Sequence, residues 1–138
     1  MEKTLAVINQ LEQEGLIGRY AIGGAVAATR YIEPVQTGEA IVVEDWPVQF
    51  LPVYDELTEE ALTNALEVNF GSTPTRVLSA EHLAAIMLNT GRPKDHARLL
   101  QFFELNALNR ATLEETVARH GLTPKWADFR RRFLNEPE

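Results

Sequence analysis

The first residues in this chain with chemical potential are Gly23-Gly24, set between two structured-looking runs. A β-prone stretch, Arg19-Tyr20-Ala21-Ile22, leads into the two glycines, and a small-residue, helix-prone stretch follows from Ala25 to Tyr31. Glycines at a strand–helix junction let the backbone approach a ligand closely. The helix behind them offers unpaired N–H groups and the positive end of its dipole. That junction suits a phosphate. A second group of polar residues is the turn Thr90-Gly91-Arg92-Pro93-Lys94-Asp95, and with Arg98 it makes a compact basic site conceivable. Asp95 there falls at a helix N-terminus, where a negative charge is favourable.

Other chemistries find little material. Hard cations need carboxylates on one face, which on a strand means positions i and i+2. Acids at that spacing occur only as Glu12/Glu14, in a helical pattern where i and i+2 diverge, and as Glu136/Glu138 at the chain end. Glu44 and Asp45 are adjacent, so a strand would turn them to opposite faces. No metal-ligand set is expected. His82, His96 and His120 fall in different helical patterns without ligand spacing, and solvated histidines are expected. Thr29, Ser72 and Ser79 show no base partner in the sequence, which argues against a serine-type nucleophile. Cysteine is absent, removing disulfides, thiolate nucleophiles and cysteine-ligated zinc.

Composition bounds the setting. A chain of 138 residues with 45% hydrophobic and 24% charged residues reads as one globular domain. Its net charge of −7 gives no general attraction to nucleic acid or an anionic membrane. No apolar run is long enough to span a bilayer, and the acidic, amide-rich start is unlike a secretory leader. A cytoplasmic protein is expected.

The elements that must position these residues follow from periodicity and punctuation. A first helix is expected over Lys3–Glu14, with Leu5, Ile8 and Leu11 inward and Gly15 as its stop. After the glycine-led helix, which Pro34 ends, Ala40–Val43 and Pro47–Tyr54 read as paired strands around a Glu44-Asp45-Trp46 turn. Thr58 is expected to cap a helix running to about Val68. Gly71–Pro74 reads as a turn and Thr75–Leu78 as a strand. Ser79 then caps a helix with Leu83, Ile86, Met87 and Thr90 on one face, closed by Gly91. Pro93 opens a helix carrying Leu99, Leu100, Phe102 and Phe103. Thr112 and Glu115 suggest a capping box for a short helix ending at Gly121. Thr123-Pro124 opens the last helix, striped by Trp126, Phe129 and Phe133, a core or interface surface. The expected class is α+β: a small mixed β-sheet over 1–78 with flanking helices, then a C-terminal helical tail over 79–138, in one domain.

Taken together, Tyr20–Ala27, Pro47-Val48-Gln49-Phe50-Leu51-Pro52 and Thr90–Asp95 resemble the minimal nucleotidyltransferase family, in particular its AbiEii-like, toxin–antitoxin-associated branch. The resemblance covers roughly the first 105 residues. It implies a sheet of the nucleotidyltransferase type and transfer of a nucleotidyl group from an NTP, with Mg²⁺, to a protein or nucleic-acid hydroxyl. Gly23, Gly24, Thr37 and Arg92 would contact the nucleotide, with the glycines seating its triphosphate. Lys94 and Asp95 would orient the nucleotide or brace the site. Gln49 occupies the position that resembles a third catalytic carboxylate.

The chain departs from that pattern where the chemistry is needed. The family follows this glycine-led segment with an Asp-x-Asp strand that holds two metals, but here Thr37 runs into Gly38-Glu39-Ala40. Gln49 is neutral and a poor metal ligand, and Asn89 stands where the branch often has lysine. Two readings stay open. In one, the protein is catalytic with an acidic strand supplied from outside these residues; in the other, it is a degenerate binding or regulatory protein. A nucleotide and a protein partner or second copy are the expected partners, since a lost strand leaves an unpaired edge or bare apolar surface.

Overall fold

The computed structural model describes residues 2–23, 41–43, 46–48, 53 and 55–136. Among them the architecture is α+β, with six helices and two short antiparallel hairpins. The elements run α1 (Glu2–Gln13), β1 (Ile41–Val43), β2 (Trp46–Val48), α2 (Glu56–Thr63), β3 (Leu66–Phe70), β4 (Thr73–Val77), α3 (Ala80–Thr90), α4 (Pro93–Glu104), α5 (Arg110–Arg119) and α6 (Thr123–Phe133). No helix among the described residues is long and apolar enough to cross a membrane. The expected helix over Ala25–Tyr31, the junction of Thr37 with Gly38, and Gly24 and Gln49 all lie outside the described residues.

The strands differ from expectation in instructive ways. Trp46 leaves the expected turn and pairs with Val43, with Val42 opposite Pro47 and Ile41 opposite Val48. The helix begun near Thr58 does not reach Val68; it stops at Thr63, and Leu66–Phe70 forms β3 instead. Asn64 ends the helix with its side-chain amide bonded to Glu60 O at 2.9 Å. From there, pairing with β4 outweighs the helical propensity of Leu66 and Glu67, because the alternating Leu66, Val68 and Phe70 suit a pleated ladder. Thr73 and Pro74, expected in the turn, belong to β4, so Gly71-Ser72 alone joins the strands. The run Arg19–Ile22, expected as a strand, contributes a single parallel bridge from Ile22 to Val77. Locally the Ile22–β4–β3 arrangement is therefore mixed.

Two helix starts lie three residues earlier than expected, for one reason. Asp55 caps α2, its carboxylate accepting from Thr58 N at 2.8 Å, and Asn109 caps α5, its amide oxygen accepting from Thr112 N at 3.1 Å. Thr58 and Thr112 thus take the N3 position, where their N–H groups are the ones a cap must satisfy.

The core of the described residues is helical and centred on α3. Ala80, Leu83, Ala84, Ala85, Met87 and Leu88 are all buried, so this helix is enclosed nearly all round. It packs against α2, α4, α5 and α6. Ile86 is half-buried and Thr90 exposed, so the expected inward face holds at Leu83 and Met87. Phe102 of α4 and Phe129 of α6 are fully enclosed beside it. Trp126 and Phe129 are buried as their spacing suggests, stacked with centroids 6.2 Å apart, and Phe103 stacks on Trp126. On the sheet side, Leu5 and Ile8 bury one face of α1, which packs on β4 where Thr75 and Val77 point inward.

Candidate functional site

The strand–glycine junction is built by backbone bonds on both sides of Ile22. Ile22 N–H donates to Arg76 O at 2.8 Å, and Leu78 N–H donates to Ile22 O at 2.9 Å. Gly23 is thereby set against Leu78, close enough that a Cβ on it would meet Leu78 Cδ1 at 3.2 Å. Immediately beyond, Ser79 caps α3, its hydroxyl oxygen accepting from His82 N–H at 3.1 Å. Gly23 therefore lies beside the N-terminal end of α3.

At the other end of α3, Asp95 organises the turn into α4. Its Oδ2 accepts from Thr90 Oγ1 at 2.7 Å, Arg92 N at 3.1 Å and Arg92 Nε at 2.7 Å, and its Oδ1 accepts from Arg92 Nη2 at 3.1 Å. Gly91 supplies the left-handed backbone (φ 64°) that closes α3, and its N–H reaches Met87 O. Burial pushes the Asp95 carboxyl up, yet the hydrogen bonds from Arg92 and Thr90 outweigh it and leave the pKa below the usual carboxylate range. Of the residues singled out in the sequence, Arg92 and Asp95 are brought together, and Lys94 stands beside them, exposed. Gly23 is separated from them by the length of α3, about 16 Å for its eleven residues.

A third cluster was invisible in the sequence. Glu60 of α2 is met by three cations or potential cations from other helices. Arg119 Nε and Nη2 bond its two oxygens at 3.0 and 2.8 Å, His82 Nε2 lies 2.8 Å from Oε2, and His120 Nε2 lies 3.2 Å from Oε1. The expectation of solvated histidines is corrected here: the His82 and His120 side chains are only 12% and 11% exposed. His96 is also engaged, with its ring 5.1 Å from that of Phe133. The hydrogen bonds from Arg119 hold the Glu60 carboxyl far below the usual carboxylate range, with those from His82 and His120 adding to them against the effect of burial.

Ser79 also has the partner that the sequence did not reveal, since its Oγ lies 2.8 Å from His82 Nδ1. The His82 ring lies between the Ser79 hydroxyl at Nδ1 and the Glu60 carboxylate at Nε2. Hydroxyl, imidazole and carboxylate thus stand in the order of a nucleophilic triad. The Ser79 oxygen, however, is committed as the cap of α3, and the chain of bonds works as a clamp joining α2, α3 and α5. The only local trace of it was the Ser79/His82 spacing of three. A cleft of about 470 Å³ opens beside the clamp, lined by Asp55, Leu57, Asn89, Arg119, His120 and Leu122 among others.

Neither carboxylate cluster fits Mg²⁺. Both Asp95 oxygens are bonded to Arg92, and the Glu60 oxygens face Arg119 and two imidazoles, surroundings that repel a cation. Among the described residues no group of His, Cys, Asp or Glu has metal-holding geometry. No family model, curated protein or solved structure matches this chain.

Proposed function

We propose that the chain is a nucleotidyltransferase-like, nucleotide-binding protein that acts as a binding or regulatory partner, without a catalytic metal site of its own. The observation that carries the reading is the Gly23 junction: a backbone segment bridged in parallel to β4 delivers a glycine beside the start of a buried helix. A glycine delivered there supports the reading of a phosphate-seating turn, and Tyr20–Ala27 and Thr90–Asp95 are the stretches that resemble the family. The absence of an Asp-x-Asp pair from the whole sequence weighs for binding over transfer. Self-association is part of the proposal, with support from β3, whose outer edge has no partner among the described residues and carries Leu66 at 48% exposure.

Isothermal titration with ATP, with and without Mg²⁺, tests it. Binding that is indifferent to Mg²⁺ is expected. Binding that requires Mg²⁺ would favour nucleotidyl transfer with a supplied acidic strand, and no binding in either condition would overturn the nucleotide reading.

A further inference from the structure

The cleft of about 470 Å³ beside the Glu60 clamp is lined by groups of opposite character. Asp55 and Glu56 come from the start of α2, Asn89 from the last turn of α3, and Arg119 and His120 from the end of α5. Leu57 and Leu122, both buried, supply the apolar part of the lining. The groups from α3 and α5 are donors braced from behind. Arg119 gives one edge of its guanidinium to Glu60, through Nε and Nη2, and Nη2 also lies 3.4 Å from Thr116 Oγ1. The two N–H groups of Nη1 are left without a partner among the described residues. His120 turns Nε2 to the same carboxylate, which leaves Nδ1. Asn89 presents both of its oxygens to Lys125 Nζ, at 2.7 and 3.2 Å, which leaves its amide Nδ2. A planar guanidinium held along one edge is preorganised to take a carboxylate on the other.

The groups from α2 are acids with capacity to spare. Asp55 spends Oδ1 on the backbone N–H and the hydroxyl of Thr58, and its Oδ2 has no hydrogen bond among the described residues. Glu56 is exposed and makes no ion pair among them. It stands four residues before Glu60, so it shares a face of α2 with the acid that holds Arg119, one turn away. Because Glu60 already neutralises Arg119, these two acids leave the lining net negative, which disfavours phosphate and other multiply charged anions. The lining instead matches a small molecule that carries one carboxylate and one ammonium.

We infer that this cleft binds a free amino acid with an apolar side chain. The carboxylate takes the open edge of Arg119, with Asn89 Nδ2 and His120 Nδ1 as further polar contacts, and the ammonium faces Asp55 and Glu56. The apolar side chain covers Leu57 and Leu122. This site goes beyond the Gly23 reading and does not depend on it, since Gly23 lies beside the start of α3 and Asn89 in its last turn.

Isothermal titration of the full chain with L-leucine tests it, beside two analogues that each lack one charge. L-leucinamide keeps the ammonium, and 4-methylpentanoate keeps the carboxylate. Leucine should bind with a dissociation constant of about 1 mM or tighter, and each analogue at least about tenfold more weakly. Arg119→Lys keeps a positive charge for Glu60 but loses the second edge, and it should weaken leucine binding about tenfold. Glu56→Gln should weaken it by a similar factor, and this change lies at an exposed position, so it gives a reading even where Arg119→Lys does not fold. The proposal is overturned if leucine gives no binding heat at about 10 mM. It is also overturned if either analogue binds as well as leucine, since the cleft would then select a single charge. Undiminished leucine binding in Glu56→Gln or in folded Arg119→Lys would place the ligand elsewhere and overturn it as well.

Discussion

Glu60 Oε2 lies 2.8 Å from His82 Nε2, across a separation of 22 residues, and that contact locks α2 onto the start of α3. Because Arg119 and His120 reach the same carboxylate from the end of α5, one acid joins three helices. Glu60→Ala should therefore cost about 2 kcal/mol, the loss of hydrogen bonds to two poorly exposed imidazoles, whereas the exposed Arg119 regains water. Glu60→Gln keeps an acceptor and should cost less. Urea denaturation midpoints check both; an unchanged midpoint in Glu60→Ala would show the cluster to be energetically idle.

The same clamp sets a direction for acid stability. The Glu60 pKa is depressed in the folded state, chiefly by Arg119, so near pH 4 the unfolded chain binds the proton more readily than the folded one. Its contribution is complete above the unfolded value of about 4.3 and is lost as pH falls through the folded value. Asp95 acts in the same direction. Unfolding free energy should thus decline below about pH 5, and Glu60→Gln should flatten the decline, as circular dichroism with urea at stepped pH will show.

Asp95→Ala should be more damaging than a surface acid of ordinary kind. At 2% exposure it removes the acceptor of Thr90 and Arg92 at once and uncaps α4. A loss of about 2–3 kcal/mol is expected. Hydrogen exchange should localise the loosening to the last turn of α3 and the first of α4. Even loss of protection across the chain would contradict that placement.

Gly91→Ala isolates a backbone effect. A Cβ there would meet only Leu88 O at 3.7 Å and His96 Nε2 at 3.9 Å, ordinary contacts, so the cost comes from the φ of 64° alone. It should be about 1 kcal/mol, with Gly91→Asn milder because asparagine tolerates the left-handed region. Equal losses for the two would point to sterics instead.

Phe102 measures the helical core. It is 0% exposed between α4 and α3, and Phe102→Ala should cost about 3–5 kcal/mol by leaving a cavity. Phe102→Leu should recover most of it. A thermal scan showing similar midpoints for Ala and Leu would mean that the site collapses.

The sequence by itself determined the elements whose signals are local. Gly15 beyond α1, Ser79 and Gly91 around α3, Pro93 opening α4 and the Trp126/Phe129/Phe133 stripe were all legible, because caps, glycine dihedrals and helical periodicity act within a few residues. Asp95 was legible as a charge at a helix start, and the structure added its pairing with Arg92. What only the tertiary structure decided is non-local. Leu66–Phe70 became a strand because β4 was there to pair with it. His82 and His120 became partners because Glu60, 22 and 60 residues away, was brought between them. Gly23 and Asp95, both legible as candidates, came to lie at opposite ends of α3 because the direction of one buried helix sets that distance. Residue types name the groups a chain has for chemistry, while packing decides which of them meet.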